Sequence, residues 1–350
     1  MPSKPKPYTP KPTPQNFPPM KDFNRREFIK KSAFATAGAG LFLSACAGGS
    51  QSQSSLDKDA NATSPMEPLF KISLAQWSLN RSLFAGKLDN LDFAAGAKAH
   101  GIDAIEYVNQ FFMDKAEDKA YLKEMKDRAD SEGVTSVLIM CDNEGALGDP
   151  DAAKRSQTVE NHKKWVQAAQ YLGCHSIRVN GYSGLAPRGE LDPFEESQKL
   201  VADGLRQLCE YADPYDINVI IENHGGNSSN AKWLTGVMDL ADHVRAGTLP
   251  DFGNFQIHRD GDKVTSYDAY RGVQELMPYA KGVSVKTIAW DDKGNSSPLD
   301  YDRMMRIVLD AGWRGYCGIE HGEEGREWEA ITEVRDKLIA SRERLAADYK

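Results

Sequence analysis

From residue 70 onward the chain alternates short apolar runs with segments of helical spacing. The apolar runs are KISLAQW (71–77), IDAIEYV (102–108), VTSVLIM (134–140), HSIRVN (175–180), INVIIEN (217–223), GTLPDFGNF (247–255), KGVSVKTI (281–288) and GYCGIEH (315–321). Their length and their β-branched residues fit buried strands. Amphipathic spacing predicts helices near 88–100, 114–132, 152–172, 194–213, 230–245, 268–278, 300–312 and 325–346. Strands that alternate with helices form βαβ units and a parallel sheet. Eight such units in about 275 residues match the size of a (β/α)8 TIM barrel, whose catalytic groups gather at the C-terminal ends of the strands. The competing architecture, a doubly wound open sheet, requires a glycine-rich phosphate turn after its first strand. The segment QWSLNRSLFAG contains none.

The first 69 residues do not follow this pattern. Residues 1–20 hold 8 of the 17 prolines and no core-forming spacing. Next, Arg25 and Arg26, with Phe28 and Lys30, precede a mildly apolar run from Ala33 to Ala45. That run has about 13 residues, short of the roughly 20 that a spanning helix needs. The twin arginine followed by LSAC resembles a twin-arginine export signal with a bacterial lipobox, which makes Cys46 the expected lipidation site. Residues 47–69 then read as a linker, so the expected organisation is 1–46 signal, 47–69 linker and 70–350 barrel. The expected location is the periplasm, anchored by lipid, with the outer membrane favoured because Ala47 is no retention aspartate.

Charge narrows the choice of partners. The whole chain carries 43 Lys/Arg against 51 Asp/Glu. Residues 1–46 account for 8 and 2 of these, so residues 47–350 carry 35 against 49, a net charge of −14. Such a body is unsuited to phosphate-backbone binding, so no nucleic-acid partner is expected, and the membrane is reached only through the lipid. Beyond Cys46, the cysteines at 141, 174, 209 and 317 form no CxxC pair, which argues against a disulfide framework. Parity places Cys317 opposite Glu320 on its strand, facing the helices.

Polar residues collect where the barrel puts its active face. They are Glu106, Arg178, Asn180, Glu222, His224, Asp251, Asn254, Ser284, Lys286, Glu320 and His321. Carboxylates on strands five, six and eight would converge on one rim, and a divalent cation would relieve their repulsion.

These residues carry a resemblance to the xylose isomerase-like barrels, a family that includes sugar epimerases, inosose dehydratases and endonuclease IV. The resemblance spans roughly residues 70–345. It implies that Glu222 in IIENHGG, Asp251 in DFGN and Glu320 in GIEHGE are metal ligands. Asn254 stands where the family usually has histidine. In SVKT, Ser284 replaces a histidine ligand, Lys286 is kept and Thr287 replaces an acid. His224 either supplies the missing ligand, for a divalent Mn, Mg, Co or Zn ion, or hydrogen-bonds the following loop. The implied activity is isomerase or epimerase chemistry, with proton transfer next to a carbonyl by Glu222 and Glu320 on a sugar or keto-sugar. Lys286 would stabilise the oxyanion, replace part of the metal's charge, or serve only as a surface lysine. Trp77, Glu106, Arg178, Asn180 and Asn254 are the expected substrate contacts. A lyase or hydratase using the same carboxylates, or a noncatalytic sugar-binding lipoprotein, are the alternatives.

Overall fold

The computed structural model describes residues 67–187 and 190–349. The twin-arginine segment, Cys46 and almost all of the linker lie outside the described residues. The chain divides into a unit at Met1–Thr63 and a unit at Ser64–Lys350, and the second contains every described residue.

All eight expected strands form, in order. They are β1 (Lys71–Ala75), β2 (Ala104–Val108), β3 (Thr135–Met140), β4 (Ser176–Val179), β5 (Asn218–Glu222), β6 (Ala246–Leu249), β7 (Ser284–Val285) and β8 (Tyr316–Ile319). Each is followed by its helix: α1 (Phe93–Ala99), α2 (Lys119–Ser131), α3 (Ala152–Leu172), α4 (Phe194–Ala212), α5 (Ala231–Ala241), α6 (Ala269–Leu276), α7 (Tyr301–Asp310) and α8 (Glu327–Leu345). Hydrogen bonding runs β6-β5-β4-β3-β2-β1-β8-β7, every pair parallel. Two further parallel bridges, Thr248 to Ala280 and Asp251 to Ser284, cross from β6 to β7 and leave a nearly closed barrel.

Local chemistry sets the element ends. Asp151 caps α3 by accepting from the backbone N–H groups of Ala153 and Lys154, and Gly173 ends it in the left-handed region at φ 82. The expected 247–255 strand stops at Leu249, because Pro250 has no N–H for the ladder. Asp251 then accepts the N–H groups of Gly253 and Asn254, which turns the chain. Two antiparallel hairpins, Gln256–Asp260 with Lys263–Ser266 and Ile288–Trp290 with Ser296–Pro298, extend the loops after β6 and β7 and were not expected.

The period-2 alternation of the strands sorts side chains into two layers. Leu74, Ile105, Tyr107, Ile139, Ile177, Val179, Val219, Ile221, Val285, Cys317 and Ile319 face the helices in the larger core, so Cys317 lies on the predicted side. Ala75, Ala104, Val108, Leu138, Met140, Ile220 and Leu249 fill the barrel interior. The same inward parity carries Ser73, Glu106, Arg178, Glu222 and Ser284, all buried. Among the described residues no helix is long and apolar enough to cross a membrane.

Candidate active site

Barrel closure brings three acids from distant parts of the chain together. Glu222 ends β5, Asp251 follows β6 and Glu320 follows β8. Each offers a carboxylate oxygen within 4.8 Å of the others, and all three are buried. Such a group could hold a metal ion. Of its oxygens, Glu222 Oε2 is buried with no hydrogen-bond donor, while Oε1 accepts from Asn254 Nδ2 at 3.0 Å. Asp251 is more fully engaged: Oδ1 takes two backbone N–H groups and Oδ2 takes Ser284 Oγ at 2.8 Å.

Two cations face these acids. Lys286 Nζ donates to Glu320 Oε1 and lies 3.5 Å from Asp251 Oδ2. Arg178 Nε lies 3.0 Å from Glu222 Oε2, close enough for an ion pair but without hydrogen-bond alignment, and its NH1 pairs with Asp142 Oδ1 at 2.8 Å. Gly253 passes directly over the lysine stem; a Cβ there would meet Lys286 Cβ at 2.8 Å.

Burial and charge act unequally on the acids. Burial, aided by neighbouring acids and resisted by Arg178, pushes Glu222 up to about 7. Burial also raises Asp251 to about 7, although Lys286 pulls the other way. Glu320 is just as buried, yet the ammonium of Lys286 prevails and holds its carboxyl below the usual range. The three carboxylates in turn raise Lys286 and keep it charged, overcoming its own burial. Asp142 is lowered to about 2, because Arg178 and its hydrogen bonds from Asn180 and Gln110 outweigh burial.

The other expected residues divide. Trp77 sits in the turn after β1 and shares a cavity of about 210 Å³ with Arg81, Lys286, Glu320 and His321. It also packs 6.0 Å from Phe84 and 6.2 Å from Phe111, and Phe84 is 61% exposed. Arg178 and Asn180, two of the expected substrate contacts, both donate to Asp142 Oδ1 at 2.8 Å. Asn254 likewise serves Glu222. Glu106 lies within its strand, since β2 continues two residues past it to Val108; it is buried, accepts from Ser73 at 2.6 Å and feels the charges of Glu320, Glu222 and Arg178. His224 is not in the group of acids within 4.8 Å of one another, although it lies near enough to Glu320 for each to act on the other's charge. Because β5 ends at Glu222, the alternation that would have aligned the two stops, and the imidazole Nδ1 lies 3.3 Å from Tyr182 Oη. Asp142 was missed, although it stands two residues past the end of β3, near the strand ends that carry the other acids. A groove of about 620 Å³ on the outer wall between α6 and α7, lined by Tyr270, Arg271, Arg303 and Arg306, contains none of these groups.

Comparison with known proteins agrees with this architecture. Among solved structures the chain is similar to a xylose isomerase-like TIM barrel protein from Mycobacterium smegmatis in complex with magnesium. The two are 15% identical over 78% of this chain and 96% of that one, with a TM-score of 0.59. It is also similar to the 3-keto-D-glucoside 4-epimerase YcjR from E. coli, at 14% identity, 77% and 99% coverage and a TM-score of 0.58. The probable 3-DHS dehydratase AsbF from Bacillus anthracis matches at 15% identity, 77% and 99% coverage and a TM-score of 0.57. No curated protein matches the sequence. At identities this low, the structural likeness establishes the shared fold alone. The family model described as xylose isomerase-like TIM barrel matches residues 94–341, and the chain belongs to that family.

Proposed function

We propose that this protein is a sugar isomerase or epimerase-like enzyme of the cell envelope that moves a proton next to the carbonyl of a sugar or keto-sugar. The observation that carries the reading is the convergence of three buried carboxyls, Glu222, Asp251 and Glu320, within 4.8 Å of one another, with Lys286 donating to one of them. Glu320 is held ionised by Lys286, whereas burial lifts Glu222 to about 7. Paired carboxyls driven apart in this way supply a base and an acid at neutral pH. Glu320 would take the proton from the carbon beside the carbonyl, and Glu222 would return one. Lys286 would face the oxygen on which negative charge develops, and the Trp77 and Phe84 rings at the mouth offer apolar faces for a sugar.

Glu222, Asp251 and Glu320 would hold a divalent cation, which when bound would polarise the carbonyl and lower the cost of the enediolate. With Ser284 in place of a nitrogen ligand, the available donors are all oxygen. That set favours magnesium or manganese over zinc or cobalt. Elimination is the second reading, supported by the same acid and base pair, with Glu222 then protonating a leaving group.

The test is incubation of the purified protein with keto-sugars in D2O. Deuterium uptake without loss of a group supports epimerisation, and release of water or an aglycone supports elimination. Glu222→Gln and Glu320→Gln should each lower turnover about 100-fold or more. Unchanged turnover in both would refute the assignment.

A further inference from the structure

Lys286 stands where a cation held by the three acids would stand. Its Nζ donates to Glu320 and lies 3.5 Å from Asp251 Oδ2, so it engages two of the three candidate ligands at once. A magnesium or manganese ion shared by these carboxylates needs oxygens at about 2.0–2.2 Å, inside the space the ammonium fills. A protonated lysine has no lone pair to offer such an ion and repels it. The lysine is also well seated: its side chain is 20% exposed and its stem runs beneath Gly253. It has somewhere to go, because the cavity of about 210 Å³ beside it opens toward Trp77 and Arg81.

We propose that Lys286 and a divalent cation occupy the acidic cluster in alternation, so that the ion enters only when the ammonium leaves Glu320 and Asp251. Lys286 is then the site's built-in counter-ion, and the apparent affinity for metal is reduced by the fraction of molecules in which it has withdrawn. The serine at 284 strengthens the effect: its hydroxyl donates to Asp251 and adds another hydrogen bond that metal entry must reorganise. This inference concerns binding alone and does not depend on the substrate.

The experiment is titration of the purified, chelator-treated protein with Mn²⁺, read by calorimetry and by electron paramagnetic resonance of free Mn²⁺. Lys286→Met and Lys286→Gln should both bind Mn²⁺ at least about tenfold more tightly than wild type, while Lys286→Arg, which keeps the charge, should not. Gln retains a donor to Glu320, so it reports even if the Met variant does not fold. Without metal the neutral variants should melt lower than wild type, and Mn²⁺ should raise their melting temperature more than it raises that of wild type. Equal or weaker Mn²⁺ binding in both neutral variants, absence of binding in every protein, or an equal gain in Lys286→Arg would overturn the proposal. Each of these results would leave the proton-transfer reading to its own test with Glu222 and Glu320.

Discussion

Glu106 lies between Ser73 and the bare backbone of Gly318, where an added Cβ would come within 2.4 Å of its Oε1. Its other oxygen has no hydrogen-bond donor, and burial raises the group to about 8. The sign follows from linkage: the native state keeps a proton that the unfolded chain releases above about 4.5. The stability this carboxyl supports is therefore complete below about pH 4.5 and declines as pH rises through about 8. At about pH 9 the cost is on the order of 3–5 kcal/mol. Glu106→Gln removes that titration while keeping an acceptor for Ser73. Urea unfolding should therefore show the variant gaining on wild type between about pH 5 and about pH 9, by a few kcal/mol. A difference between the two proteins that stays constant with pH would show that Glu106 does not titrate as described. The depth of this residue was also the least legible feature of the site. A glutamate three residues into a five-residue strand is hard to distinguish from one at its end until the strand's length is known. Glu222, Asp251 and Glu320 were legible because a strand, or its proline stop, ends beside each of them.

At the scale of elements, period carried most of the information. The expected helix 152–172 coincides with α3, where an aspartate cap and a terminal glycine mark both ends. The hairpin across Gly261 and Asp262 escaped notice, although a two-residue Gly-Asp loop is a hairpin signal. Its strands are short, half-exposed and polar, so hydrophobic pattern gave no hint of them. β7 erred the other way: an expected run of eight residues, 281–288, yields only two in the ladder. α6 offers a test of how tightly such elements are packed. Its buried stripe is Ala269, Gly272, Val273 and Leu276, and a Cβ on Gly272 would fall 2.1 Å from Phe255 Cε1. Alanine is worth about 1 kcal/mol over glycine inside a helix. Phe255 is completely buried and packs 6.4 Å from the Tyr267 ring, so overpacking should dominate. Gly272→Ala is therefore expected to lose about 1–2 kcal/mol in chemical denaturation. A gain in stability would mean that the ring has room to move.

For the whole molecule, the chemistry proposed at the rim and the attachment proposed for the chain make separate demands. Residues 47–350 carry 35 Lys/Arg against 49 Asp/Glu. A net charge of this sign is repelled by anionic lipid headgroups. If Cys46 bears the lipid, membrane association should rest on acyl chains alone. One acyl chain holds a protein only marginally, whereas two or more anchor it stably, because burial of each CH2 contributes about 0.8 kcal/mol. Wild-type protein in fractionated cells should then stay with membranes through a wash in about 1 M salt, where the Debye length shrinks to about 3 Å, and leave them in detergent. Cys46→Ser should appear in the soluble fraction without loss of deuterium exchange on a keto-sugar, because the barrel that holds Glu222, Lys286 and Glu320 is built entirely after Ser64. Release of the wild type by salt, or retention of Cys46→Ser on membranes, would place the attachment elsewhere in the chain. Arg25→Lys combined with Arg26→Lys addresses export rather than anchoring. That double variant should accumulate in the cytoplasm with its barrel folded, since the four barrel cysteines are free and buried and no disulfide has to form outside the cell.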